Sequence, residues 1–223
     1  GVGFQPDWVW LKERNGTEAH NLYDSNRGIF KRLSSNTTGA EYSSNTQLTS
    51  FDSDGFSVGS SDAINDSGNN MVGWNWKAGG TASTNTDGSI TSSVSANIDS
   101  GFSIVTWTGT GANATIGHGL GVVPKITIIK GREAVTNWIV GGSLIEDVGG
   151  STNNYMILNG TAAMDTSTTL YASYNTDTIG VKTDANVNGS GQGMVMYCFA
   201  EIKGYSKFDS YIGNGSADGS FIY

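Results

Sequence analysis

Pro6-Asp7-Trp8-Val9-Trp10-Leu11-Lys12 and Pro124-Lys125-Ile126-Thr127-Ile128-Ile129-Lys130 are two versions of one phrase. Each opens on proline, runs through apolar side chains and closes on lysine. In the first, Trp8 and Trp10 share one face of an extended strand and Val9 and Leu11 the other, so both faces need cover. The spacing is 118 residues (124 − 6), and Gly1, Gly3 and Arg14 return at that offset as Gly119, Gly121 and Arg132. A second matched pair, NDSGNNMVGWNW at 65–76 and NGSGQGMVMYCF at 188–199, is offset by 123 (188 − 65). The later copy therefore carries five extra residues in between. Beyond it the offset returns to 118, pairing Ile90 with Phe208, Ser100 with Asp218 and Gly101 with Gly219.

Repetition at this length predicts serial domains rather than a solenoid. Residues 1–84 are a first β-sandwich repeat lacking its opening strands, and residues 85–203 a second, complete one. Residues 204–223 are the start of a third repeat or a closing hairpin. The two copies should share one fold, with Pro6 on Pro124 and Met71 on Met194. Residues 101–118 have no partner ahead of Gly1 and the chain lacks an initiating Met, so it reads as a slice of something longer.

Composition points the same way. Charged residues are 14% of the chain, against about 25% in ordinary globular domains, so long amphipathic helices have little to be made from. Glycine supplies 32 residues and proline only 2, and the 37% of hydrophobic residues come in short bursts between turn formers. This is an all-β pattern. Strands are expected at Asp7–Lys12, His20–Asp24, Phe30–Leu33, Phe51–Val58 (a hairpin turning at Asp54-Gly55) and Met71–Lys77. In the second copy they fall at Ile90–Ser95, Phe102–Thr108, Lys125–Lys130, Asn137–Val140, Tyr155–Leu158, Leu170–Tyr174, Thr178–Lys182 and Met194–Ile202. Only Ser143–Val148 suits a helical turn. The polar stretch Leu33–Leu48 reads as a surface loop and Ala78–Asn85 as a domain linker. The fold class is thus two tandem β-sandwiches, jelly-roll-like, related by internal duplication.

A net charge of −8 without any basic cluster disfavours nucleic-acid binding, which needs Lys and Arg against phosphate. No segment approaches the ~20 apolar residues of a membrane span. The lone Cys198 sits among apolar residues and reads as a small buried hydrophobe. Without an intrachain disulfide, stability has to come from packing or self-association.

Several runs together resemble a repeat domain of tail-fibre-like and other virion proteins of marine tailed bacteriophages. They are GFQPDWVWLK (3–12), YDSNRG (23–28), KRLSSNTT (31–38), SFDSDGF (50–56), WNWKAGG (74–80), GHGLG (117–121), FAE (199–201) and GYSKF (204–208). The resemblance spans nearly the whole chain, departs most between Arg132 and Thr178, and implies tandem units and a virion location.

Chemistry-bearing groupings are few. Carboxylates Asp24, Asp52, Asp54 and Asp62 lie beside Gly, Ser or Asn, where aspartate makes turns. Asp52-Ser53-Asp54-Gly55 has the opening of a calcium loop without its later ligands, so Asp52 and Asp54 are weak metal candidates and no cofactor is expected. His20 and His118 lack a nucleophile partner, and His118 in a Gly-His-Gly turn reads as a structural hydrogen-bonder. The i, i+2 tryptophans Trp8/Trp10 and Trp74/Trp76 have Ile126, Ile128, Tyr197 and Phe199 as counterparts, which favours core filling. Trp107 and Trp138 have no tryptophan counterparts and are the candidates for surface stacking on a glycan, with loops Ser34–Thr46 and Thr108–Gly117 as polar support. Arg27 can bind an acidic sugar or pair with Asp24 across the turn.

The expected function is non-enzymatic: a structural and adhesive component of a phage virion, a tail fibre or similar appendage that presents β modules for host attachment. Its partners would be itself, as a trimer, other virion proteins and a host-surface glycan. The alternatives are a polysaccharide-degrading tailspike and a capsid-surface decoration protein.

Overall fold

The computed structural model describes residues 1–219, so the last four residues of the expected third repeat lie outside the described residues. The first stretch contains β1 (Trp8–Glu13), β2 (Asn21–Asp24), β3 (Lys31–Arg32), β4 (Tyr42–Ser43), β5 (Leu48–Asp52), β6 (Gly55–Val58), the helical turn α1 (Asp62–Asn65) and β7 (Met71–Trp76). Then come β8 (Ser83–Asn85), β9 (Ser92–Asn97), β10 (Phe102–Thr108), β11 (Ala114–Gly117), β12 (Ile126–Gly131) and β13 (Ile139–Gly141). After α2 (Ser143–Gly149) follow β14 (Asn154–Ile157), β15 (Asp165–Thr166), β16 (Tyr171–Tyr174), β17 (Thr178–Val181), α3 (Ala185–Asn188) and β18 (Gly193–Phe199). With 38% strand against 7% helix, the fold is all-β.

Alternating side chains sort these strands into layers. Val9 and Leu11 of β1 pack with Tyr23, Leu48 and Ile64, under the β5–β6 hairpin and α1. From the opposite face of β1, Trp8 packs with Leu22 and Leu33 against Phe102, Ile104, Val195 and Tyr197. The three-stranded sheet β2-β1-β7 thus lies on an eight-stranded one, ordered β15-β14-β13-β12-β18-β10-β9-β8. On the far side of that sheet, Val105, Trp107, Ile129 and Met196 meet Ile116, Tyr171, Ile179 and Val181 of the β11-β17-β16 sheet. β1 is covered on both faces, as its two-sided apolar pattern requires.

The two stretches use the same rungs. Trp8↔Trp76 through Glu13↔Met71 join β1 to β7, and Ile126↔Phe199 through Gly131↔Met194 join β12 to β18. These are offsets of 118 on one strand (126 − 8) and 123 on the other (199 − 76). Val9↔Tyr23 matches Thr127↔Gly141 at 118, whereas Lys31↔Ser43 matches Asn154↔Thr166 at 123. Even the bulge between Leu48 and Ser50 in β5 reappears between Tyr171 and Ser173 in β16. The five extra residues therefore fall between β13 and β14, where α2 stands. That helix ends on Gly150 in the left-handed conformation (φ 77°), its N–H donating to the Glu146 carbonyl.

Two segments behave differently from the sequence reading. Ala78–Asn85 is not a free linker: Ala78 is buried, its N–H donates to the Asp7 carboxylate at 2.8 Å, and β8 forms an edge of the large sheet. The polar stretch Leu33–Leu48 holds β4 and acts as a clasp. Trp138 Nε1 donates to Ser34 O at 2.9 Å, Thr136 N–H to Thr38 O at 3.1 Å and Glu41 N–H to Arg132 O at 2.6 Å. Its Ser, Thr and Asn side chains disguise a main-chain contact, because backbone donors and acceptors leave no mark on composition. The predicted turn of the first hairpin also moves by one residue, to Ser53-Asp54.

Candidate functional site

The strongest cluster of charge lies between the two stretches, not on the surface. Asp24 closes β2, and three residues on the chain turns back so that the Arg27 guanidinium reaches its carboxylate at 2.5 Å. Arg27 also donates to Leu22 O and Lys31 O, both at 3.1 Å, and to Glu41 at 3.1 Å. From β18, Tyr197 Oη donates to Asp24 at 2.6 Å. Glu41 takes two further bonds from Arg132, each 3.0 Å, and Lys31 approaches at 3.4 Å. Burial alone would raise the Glu41 carboxyl, but the hydrogen bonds and charge of Arg132 and Arg27 outweigh it and bring it to about 2. Burial works to lower Arg27 and its acidic neighbours raise it further, so the guanidinium stays charged. Arg27, a candidate for an acidic sugar, has a fully buried side chain committed to this network. Of the two roles open to it in the sequence, the structure places it in the pair with Asp24.

The Lys130 ammonium is held nearby without a carboxylate. It donates to Gly131 O (2.8 Å), Thr136 Oγ1 (2.9 Å), Thr38 O and Ala134 O (both 3.3 Å). Burial brings it down to about 8. Its counterpart Lys12 makes the same local contacts, to Glu13 O and Gly16 O, but is only half-buried.

Both tryptophans expected at the surface are buried, Trp107 to 5% exposure and Trp138 to 0%, which removes them as stacking platforms. Trp138 is held between Ser34 and Tyr197, and Trp107 belongs to the core beneath β10. A tryptophan without a counterpart in the matching run reads as free to do something else; here both belong to the core. Of the loops proposed to support them, Thr108–Gly117 contains β11, and Ser34–Thr46 is the clasp.

Asp52 accepts from Ser57 Oγ at 2.7 Å, whereas Asp54 accepts from Gly3 N–H, so the two carboxylates serve different partners. Among the described residues no three His, Cys, Asp or Glu side chains gather as a metal site. His118 is buried, its Nε2 bonding to Asn175 O at 3.1 Å while Nδ1 accepts from Leu120 N–H, and burial lowers its pKa. Trp10 Nε1 donates to His20 Nδ1 at 2.7 Å. Burial pushes the Cys198 thiol up to about 12, leaving it inert.

What the sequence reading missed is a cleft of about 720 Å³ at the Trp76 end of β7. Phe4, Trp76, Phe102, Phe199, Tyr205 and Phe208 supply aromatic walls, with Asn75 and Asn97 as amide neighbours. Tyr205 is 72% exposed. Among the described residues the outer edge of β7 has no strand partner, whereas β18 has β10 there.

Residues 1–223, the whole chain, match the family model described as Domain of unknown function (DUF7483), and the chain belongs to that family. No curated protein and no solved structure matches it. No helix among the described residues is long and apolar enough to cross a membrane.

Proposed function

We propose that this DUF7483 chain is a structural and adhesive module of a phage virion, part of a tail fibre or similar appendage. The observation that carries the reading is the repeated set of rungs, which we take as an internal duplication. Two versions of one unit are laid sheet on sheet and locked by the Arg27–Glu41–Arg132 network. Such a unit has no hinge at its centre, as a module in a load-bearing series should not. The resemblance of its sequence runs to virion proteins of marine tailed phages supports the location. Attachment would come from many weak contacts summed over an assembly, self-associated about the fibre axis, with a host-surface glycan as ligand.

The test is immunogold labelling of intact particles with antiserum against residues 1–223, combined with host-adsorption assays in the presence of the antibody. Label on a tail appendage with blocked adsorption supports the proposal. Label spread over the capsid favours a decoration protein, and absence of label from particles rejects a virion role.

A further inference from the structure

We infer that the groove over β8, β9 and β10 binds a neutral saccharide, held by hydroxyl and charge-assisted hydrogen bonds. The inference rests on the adhesive reading above and names a site for its glycan.

Alternation along β10 builds the floor. Val105 and Trp107 belong to the core on the far side of the eight-stranded sheet, and Ile104 to the core shared with the first sheet. Thr106 and Thr108 therefore share the face of Ile104. The first sheet stops beside them: Asn26, just after β2, donates to Ile104 O at 2.9 Å and to Ser93 O at 3.3 Å. Where that sheet lies the face is apolar, and where it ends the face carries hydroxyls. Thr84, Ser93 and Thr106 form one row across three strands, and Thr91 and Thr108 line the groove beside it.

Arg132 and Glu133, on the chain just after β12, help wall this face into a groove of about 490 Å³. Arg132 commits Nε and Nη2 to Glu41 and leaves Nη1 without a protein partner. Glu133 takes the Gly193 N–H on Oε2, in a seat that the absent Cβ leaves open, since one there would meet the carboxylate at 2.5 Å. Its Oε1 is left over. Among the described residues the hydroxyls of Thr84, Thr91, Ser93, Thr106 and Thr108 make no hydrogen bond either.

This chemistry selects the ligand. Hydroxyls that each donate and accept, beside a free guanidinium edge and a free carboxylate oxygen, match a molecule dense in hydroxyls. Trp107 is 5% exposed and turned to the far core, so the groove offers no ring for stacking. The carboxylates of Glu41 and Glu133 stand beside Arg132 and oppose an acidic sugar, which leaves a neutral one. A single site of this kind binds with a Kd of about 1 mM and gains strength over many copies.

The test displays the biotinylated full chain on streptavidin over an array of neutral and carboxylated oligosaccharides, beside the triple variant Thr84→Val, Ser93→Ala, Thr106→Val. Binding to neutral members is expected, with a loss of about tenfold or more in the variant. Its melting temperature should be unchanged, because these hydroxyls have no protein partner. A variant that binds as the unmodified chain does puts the glycan elsewhere, which overturns the groove and leaves the adhesive reading standing. Binding confined to carboxylated members overturns the inference as well. So does binding to no member, whereas the virion placement stands or falls by particle labelling.

Discussion

Residues 8–76 and 126–199 have matching ladders, yet several equivalent positions differ in burial. Trp74 and Tyr197 occupy the same rung position, yet one is 45% exposed and the other completely buried. Leu33 is in the shared core, while its counterpart Met156 is 41% exposed. Lys12 is half-buried and Lys130 fully enclosed, although both reach the carbonyl of the next residue and that of the residue four on. Pairing register follows from local pattern and turn length, which the two stretches share. Burial follows from which neighbour lies on the sheet, which they do not share.

The comparison breaks most visibly at the Tyr197/Trp74 position. Tyr197→Ala should cost about 3–5 kcal/mol in urea unfolding, because it empties a core site stacked on Trp8 and strips Asp24 of a donor. A cost near that of a surface change would mean the sheets are not packed as described. Slightly smaller is the effect of opening the clasp. Glu41→Gln should cost about 3 kcal/mol by leaving Arg27 and Arg132 undercompensated. In the unmodified chain the same carboxylate has a pH signature. Its folded pKa of about 2 lies below the unfolded 4.5, so its contribution is present above pH 4.5 and is lost as pH falls towards 2. Thermal melts across that range should show a shallower acid loss in Glu41→Gln.

The two lysines separate next. Lys130→Met should destabilise by about 1–3 kcal/mol by orphaning buried carbonyls, and Lys12→Met by less than about 1. For Lys130 the folded pKa of about 8 is below the unfolded 10.5, so the unfolded chain binds more protons between those values and stability rises with pH there. That rise should vanish in Lys130→Met and persist in Lys12→Met, as read from urea midpoints at pH 8 and 10. A comparably small effect is expected at the half-exposed partner of the first pair: Trp74→Ala should cost about 1 kcal/mol, chiefly its edge contact with Trp10. A larger loss at concentrations where the chain is monomeric would show a cover on β7 that the structure does not contain.

Strands with strong apolar patterns are legible, and so is a helical turn at Ser143–Val148, but it is not the only one: α1 and α3 are further short helices that the sequence reading does not give. β8 and β11 are not legible, because Ser83–Asn85 and Ala114–Gly117 carry little apolar signal and owe their pairing to neighbours already in place. Arg27 carries two readings in the sequence, an acidic-sugar ligand and a turn partner of Asp24, and the contact with Asp24 is present. Nothing local announced Tyr197, Glu41 and Arg132, which lie 170, 14 and 105 residues from it in sequence. Trp107 and Trp138 lack tryptophan counterparts in the matching runs, yet both are buried, because core position is set by the neighbouring sheet and not by local pattern.

The sequence by itself determined the all-β class and the 118- and 123-residue offsets between its matching runs, since alternation and turn chemistry act over a few residues. The tertiary structure alone decided that the two stretches lie sheet on sheet, that a polar segment is their clasp, and that Tyr197 is buried where Trp74 is half exposed. Those outcomes depend on the meeting of two surfaces distant in sequence, and hydrophobic burial is blind to the order in which residues are joined.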